Sequence, residues 1–349
     1  MVSRFWGAPQ KPYAYPLDRT NERSYAPDFK GRIYVWDIDK TYLQTEIQSL
    51  RGLLAVPFEF AVDKRNVAGT TALLRALRRG DAEFGASRMN PIYFVSASPK
   101  ELRTVIERKM LLDGVEFDGI TFKDQLALVT HAQFGKLREQ IGYKIAALFL
   151  NRRELPLEVE ETLFGDDSES DALIYAIYSD AVAGRLRGEP LTATLVKNGV
   201  HREDAEYATS LVADLPAREM VGGIYINLEV RRNPDRFVAF SGRVVPCHDS
   251  FQAALRLFED GHLSSSGVAE VAEQLVVTYA RRPPSLLRSA ADMVARGTIS
   301  LETVARLWPD LQSRGLAPDY FVVDPTRIAQ HPRPAVDREG WVTPAALRA

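Results

Sequence analysis

Cysteine is almost missing from this chain: Cys247 is the single one among 349 residues. That excludes an intramolecular disulfide and a zinc site built on cysteines. A lone thiol suits a reducing compartment. Long apolar runs are missing too. The nearest is IAALFL at 145–150, far short of the ~20 residues that span a bilayer. The opening MVSRFWGAPQKPYAYP holds no apolar stretch of signal-peptide length. These absences lead to the expectation of a soluble, cytoplasmic protein without a transmembrane segment. There is also no excess of one charge sign, with 44 Lys+Arg against 46 Asp+Glu. Bulk positive charge is therefore excluded as a basis for stable nucleic-acid binding. A global attraction to an anionic membrane is absent as well, though a local patch or an interfacial helix stays open.

What is present is an ordinary globular balance, 46% hydrophobic and 26% charged. A chain of this length can bury a sizeable core, in about two domains or one enlarged one. Residues 1–30, rich in Pro and Tyr, read as an extended arm. Short apolar runs at Arg32–Trp36, Ile92–Val95, Thr121–Phe122 and Glu161–Phe164 read as buried strands. Helical patterns lie between them, at Thr70–Arg79, Lys100–Leu112 and Phe134–Phe149, and again at Ala172–Ala183. This alternation predicts an α/β doubly wound parallel sheet with helices on both faces. Residues 31–245 would form that domain, with a helical insertion near 190–217 and one more strand at Gly223–Glu229. Residues 246–316 read as a mostly helical region, with Asp249 and Gln252 resembling a capping box and Pro283–Pro284 ending a helix. Residues 317–349 read as an irregular tail.

In parallel sheets reactive groups sit at the carboxyl ends of strands. Three strand ends carry chemistry here. Asp37-Ile38-Asp39-Lys40-Thr41 places two carboxylates at i and i+2, although an isolated pair of this kind is more often a polar turn. Ser96-Ala97-Ser98-Pro99 offers hydroxyls and backbone N–H groups to an anion, or else caps the following helix. Gly165-Asp166-Asp167-Ser168-Glu169-Ser170-Asp171 clusters carboxylates, which suit a hard divalent ion. A lysine upstream of that cluster is the fourth element; Lys144 is the first choice, with Lys136 and Lys123 as rivals. Cys247-His248-Asp249 reads as a core or capping segment rather than a catalytic trio, and Arg281-Arg282 as a solvated helix end. The scattered His131, His201, His262 and His331 lack metal-ligand spacing.

The order acid pair, hydroxyl, lysine, acid pair resembles the haloacid dehalogenase (HAD) superfamily of Mg²⁺-dependent phosphohydrolases. More narrowly, the chain resembles the catalytic domain of the actin-patch-associated phosphatidate phosphatases over roughly residues 31–185. The segments that carry this are DIDKT at 37–41, NVAGTTALLRAL at 66–77, YFVSASP at 93–99, TFKD at 121–124 and GDDSESDALIY at 165–175. Lys40, Lys100, Tyr143 and Ala172-Leu173 depart from the usual residues of that family, and they put the lipid substrate in question. The resemblance implies Asp37 as nucleophile, Asp39 as acid and base, and Lys144 as charge compensator. Ser96, with Ala97, Ser98 and Thr41, would hold the phosphate or brace its turn. Mg²⁺ would sit on Asp37, the Asp39 carbonyl, Asp166 and Asp171. The implied activity is hydrolysis of a phosphate monoester on a bulky substrate, because neither interval between the first three motifs has room for a large cap. A non-catalytic binding module and a phosphotransferase to an alcohol are the alternatives. The sequence names neither the substrate nor the oligomeric state.

Overall fold

A computed structural model describes residues 17–44, 65–81, 89–124, 140–168, 170–240 and 242–330. Lys136, residues 134–139 of the expected helix, the first half of the arm and residues 331–349 lie outside these.

The sheet has seven strands: β1 (Leu17–Asn21), β2 (Gly31–Trp36), β3 (Ile92–Pro99), β4 (Gly119–Lys123), β5 (Val159–Asp166), β6 (Val221–Asn227) and β7 (Val244–Cys247). Their order is β1-β4-β3-β2-β5-β6-β7, parallel throughout except for β1, which runs antiparallel on β4. The doubly wound α/β expectation is met. Within the stretch read as an arm, Leu17–Asn21 is a sheet strand. Its sequence LDRTN has no apolar alternation, and its buried Arg19 is held by Asn151 and Glu154.

The helices are α1 (Thr70–Arg79), α2 (Arg103–Leu112), α3 (Ile141–Arg153), α4 (Asp171–Val182), α5 (Gly188–Lys197), α6 (Arg202–Ala213), α7 (Ser250–Glu259), α8 (Ser265–Glu273), α9 (Pro283–Ala295) and α10 (Leu301–Ser313). Strand side chains alternate between two cores. Ile33, Val35, Leu163 and Ile224 face α3–α6, whereas Tyr34, Trp36, Phe164 and Tyr225 face α1, α2 and α7–α10. Helices from both sides of residue 245 therefore share one core, and α1 packs directly on α8. No described helix is long and apolar enough to cross a membrane.

Two local expectations change. Pro283 and Pro284 open α9 instead of closing the preceding helix, because a first-turn proline forfeits no hydrogen bond. The preceding helix ends in a π turn at Gln274–Thr278. Arg281 is not simply solvated: its Nη1 donates to Asp249 Oδ2 at 2.7 Å. Asp249 caps α7 by accepting from Gln252 N at 3.0 Å, and Cys247 is buried in β7. Gln252 Oε1 in turn accepts from His248 N rather than from Asp249 N.

Candidate active site

The winding of the sheet reverses between β2 and β5, since β3 and β4 lie on one side and β6 and β7 on the other. Such a reversal opens a crevice at the carboxyl ends of the two strands. Asp37 follows β2 directly and Asp166 is the last residue of β5. Beneath them the rings of Trp36, Phe164 and Tyr225 stack in a row, 4.1 Å and 5.1 Å between successive centroids. Asp37 N donates to Phe164 O at 2.8 Å, so the ladder runs unbroken into the first motif.

The first residue of α4 brings in the third carboxylate. Carboxylate oxygens of Asp37, Asp166 and Asp171 lie within 4.8 Å of one another, and all three residues are buried. Gly165 makes this approach possible: a Cβ there would stand 2.5 Å from Asp171 Oδ2. Asp171 Oδ2 also accepts from Asp166 N at 3.3 Å, and Asp166 Oδ1 from Ser168 N. Lys144, from α3, bridges the group. Its Nζ stands 2.9 Å from Asp37 Oδ1 and 2.5 Å from Asp171 Oδ1. Among the described residues this group of three carboxylates and one ammonium sums to two negative charges, and all four side chains are buried. Hard oxygen donors with surplus negative charge fit a divalent cation. Tyr175, whose hydroxyl donates to Phe164 O, registers the same field: burial first, then Asp171, raise its pKa well above the usual tyrosine value.

Asp39 does not join that trio with its side chain. Its Oδ2 accepts from Ser98 Oγ at 2.7 Å, which ties the first motif to the second. Ser96 is fully buried, and its Oγ accepts from Ser98 N at 3.1 Å. Ala97 between them is partly exposed. Thr41 Oγ1 lies 3.5 Å from Asp37 Oδ2. Tyr143 closes the end of the sheet, donating to Ser96 O and Thr121 O, with burial raising its pKa far above the usual range. Of the three lysines considered, Lys144 meets the carboxylates. Lys123 is buried with its Nζ over the Tyr143 ring, 5.9 Å from the centroid.

Two members of the site escape motif reading. Asn227, the last residue of β6, donates from Nδ2 to Lys40 O at 2.9 Å and accepts Asp167 N on its own carbonyl. Asp167 turns away from the trio: Oδ1 accepts from Val230 N and Oδ2 from Arg232 N. Asn227, like Asp37, stands at the carboxyl end of a strand, the place where reactive groups gather. Nothing in GDD itself distinguishes the roles of its two aspartates.

Residues 33–188 match the family model described as phosphatidate phosphatase APP1, catalytic domain. No curated protein and no solved structure matches the chain. The residues that carry Asp37, Ser96, Lys144 and Asp171 thus form a HAD-like domain resembling the phosphatidate phosphatase APP1 catalytic domain.

Proposed function

We propose that this chain is a Mg²⁺-dependent phosphatase that cleaves a phosphate monoester through an aspartyl-phosphate on Asp37, with a phosphatidate-like lipid as its substrate class. The observation that carries this is the convergence of Asp37, Asp166 and Asp171 at the sheet's switch point, with Lys144 bridging Asp37 and Asp171. The lipid class follows from the name of the matched family.

A carboxylate is a usable nucleophile at neutral pH, and a covalent intermediate splits hydrolysis into two easier steps. In the first, an oxygen of Asp37 bonds to phosphorus as the bond from phosphorus to the leaving oxygen breaks. Asp39 gives that oxygen a proton. In the second, Asp39 takes a proton from water, the water oxygen bonds to phosphorus, and the Asp37–phosphorus bond breaks to release inorganic phosphate. Ser98 holds Asp39 for both transfers. Ser96 accepts from Ser98 N, so its own hydroxyl hydrogen is left for a phosphoryl oxygen. Lys144 offsets charge between the nucleophile and Asp171. Mg²⁺ on Asp37, Asp166 and Asp171 would screen the repulsion between carboxylate and phosphate and stabilise the developing charge.

Rapid-quench trapping with labelled aryl phosphate tests the scheme. Hydrolysis requires Mg²⁺ and stops with chelator. Asp39→Asn keeps the nucleophile but loses the base for water, so it accumulates acid-stable protein-bound phosphate; Asp37→Asn forms none. Label on another residue, with Asp37→Asn still active, would overturn the mechanism. A panel of phosphatidate, nucleotides, sugar phosphates and phosphopeptides then ranks the substrate classes.

A further inference from the structure

The segment after β6 lies outside the matched residues, yet it is fastened to the carboxylate cluster. Asn227 holds Lys40 O, and the two oxygens of Asp167 accept from Val230 N at 2.9 Å and Arg232 N at 3.0 Å. Between those bonds Arg231 adopts φ +56°, the left-handed region. A non-glycine residue keeps that conformation only where its surroundings fix it. The loop is therefore pinned one residue from Asp166, and what it presents is held at the rim of the site.

It presents side chains that the fold itself does not use. Val230 is 52% exposed. Arg231 and Arg232 are exposed, and neither guanidinium has a hydrogen-bond or ion-pair partner among the described residues. The 3₁₀ turn that follows, Pro234–Phe240, is anchored by buried Phe237 and Phe240, whose ring centroids lie 6.3 Å apart. That anchoring leaves Val238 73% exposed. Glu229, Asp235 and Arg236 complete the charges of the segment, which comes to one net positive charge on a chain of net charge −2. A soluble anion is best gripped by guanidiniums that converge and are shielded from water. Here they are open to solvent and flanked by exposed aliphatic side chains, the combination suited to a charged interface with an apolar interior.

We propose that the segment from Leu228 to Val238 docks the site onto an anionic lipid bilayer, Arg231 and Arg232 meeting headgroup anions while Val230 and Val238 enter the interface. The proposal rests on the lipid reading above, since both place the catalytic crevice at a bilayer. Its test needs no turnover.

Sedimentation of the full chain with vesicles in chelating buffer gives the binding directly. The vesicles contain phosphatidylcholine alone or with phosphatidylserine, an anionic lipid that carries no phosphate monoester. Binding is expected to require phosphatidylserine and to fall as salt rises. Each arginine near an anionic surface contributes about fivefold in partitioning, so Arg231→Ala/Arg232→Ala should weaken binding on the order of 30-fold. Arg231→Lys/Arg232→Lys should restore most of it, which separates charge from folding, and Val238→Asp should weaken it. Equal binding to neutral vesicles, no binding to either, or an alanine pair that binds like wild type overturns the proposal. So does an alanine pair that keeps vesicle binding but raises KM for a soluble short-chain phosphatidate, because the arginines then read the substrate molecule. Anionic-vesicle binding without metal-dependent phosphatase turnover would overturn the previous reading and leave this one standing.

Discussion

Replacing Lys144 with methionine keeps most of the side chain's bulk and removes its charge. Two carboxylates at most 1% exposed then lose the cation they share: Nζ lay 2.9 Å from Asp37 Oδ1 and 2.5 Å from Asp171 Oδ1. At an effective dielectric of about 20, each contact contributes roughly 6 kcal/mol of Coulomb attraction before desolvation is subtracted. Breaking a buried pair by deleting one partner typically costs about 3–5 kcal/mol, since the surviving charge stays buried. Lys144→Met should therefore lower the unfolding free energy by about 3–5 kcal/mol in urea titrations at neutral pH with chelator present. Asp171→Asn removes one of the stranded charges, so adding it to Lys144→Met should cost less than it does in the wild-type background. A coupling of about 1–3 kcal/mol is expected between the two positions. Divalent cation should stabilise Lys144→Met more than wild type, because it supplies the missing positive charge. The rate of aryl phosphate hydrolysis should fall on the order of 10²–10³, the scale for losing one preorganised electrostatic group. Strictly additive variants, with Lys144→Met losing less than about 1 kcal/mol, would refute the reasoning.

Gly165→Ala should destabilise the fold by about 1–3 kcal/mol and blunt its thermal stabilisation by divalent cation, since the new Cβ meets Asp171 at 2.5 Å; an unchanged melting curve with and without metal counts against the packing argument. His262 is buried beside Tyr34, and burial pulls its pKa down to about 4. The folded state then holds the ring neutral while the unfolded chain takes up a proton, so stability is lost as pH falls from about 6.5 towards 4, by about 3 kcal/mol in all. His262→Gln should flatten that part of the pH profile, and a profile that keeps its slope in the variant excludes the histidine as its source. Burial pushes the Cys247 thiol up to about 12, so an aromatic disulfide reagent at pH 8 should label the native protein far more slowly than the unfolded chain; rapid stoichiometric labelling of the native state contradicts the burial.

The parts of the molecule that could be read in the sequence are those where burial and chemistry fall on neighbouring residues. RIYVW, IYFV and ETLF are apolar because both faces of a central parallel strand are covered, and each runs straight into its polar motif. The edge strands carried no such signal. β1 is polar and pairs through its backbone, and β7 is four residues with Pro246, which an edge position tolerates. Asn227 closes β6, a strand end like that before Asp37, but its contact with Lys40 joins residues 187 apart and no motif surrounds it to mark its role. Asp166 and Asp167 are chemically identical, and only the backbone direction at the end of β5 sends one to the carboxylate trio and the other to the loop at 230–232.

The shared core around α1 bears on how the chain is made. Gln274 caps the first turn of α1 by accepting Ala72 N and donating to Thr71, and Gly69 lies against Ser250 and Leu275. β5 meanwhile needs β6 on its outer edge. During synthesis Gly188 precedes Leu275 at the ribosome, and at about 5–20 residues per second that interval is on the order of ten seconds. Early in it the nascent chain carries an open β5 edge, until β6 is made, and throughout it an uncovered face of α1, both templates for wrong association. A fragment ended at residue 188 would be arrested in that condition, with the outer edge of β5 and the face of α1 both uncovered.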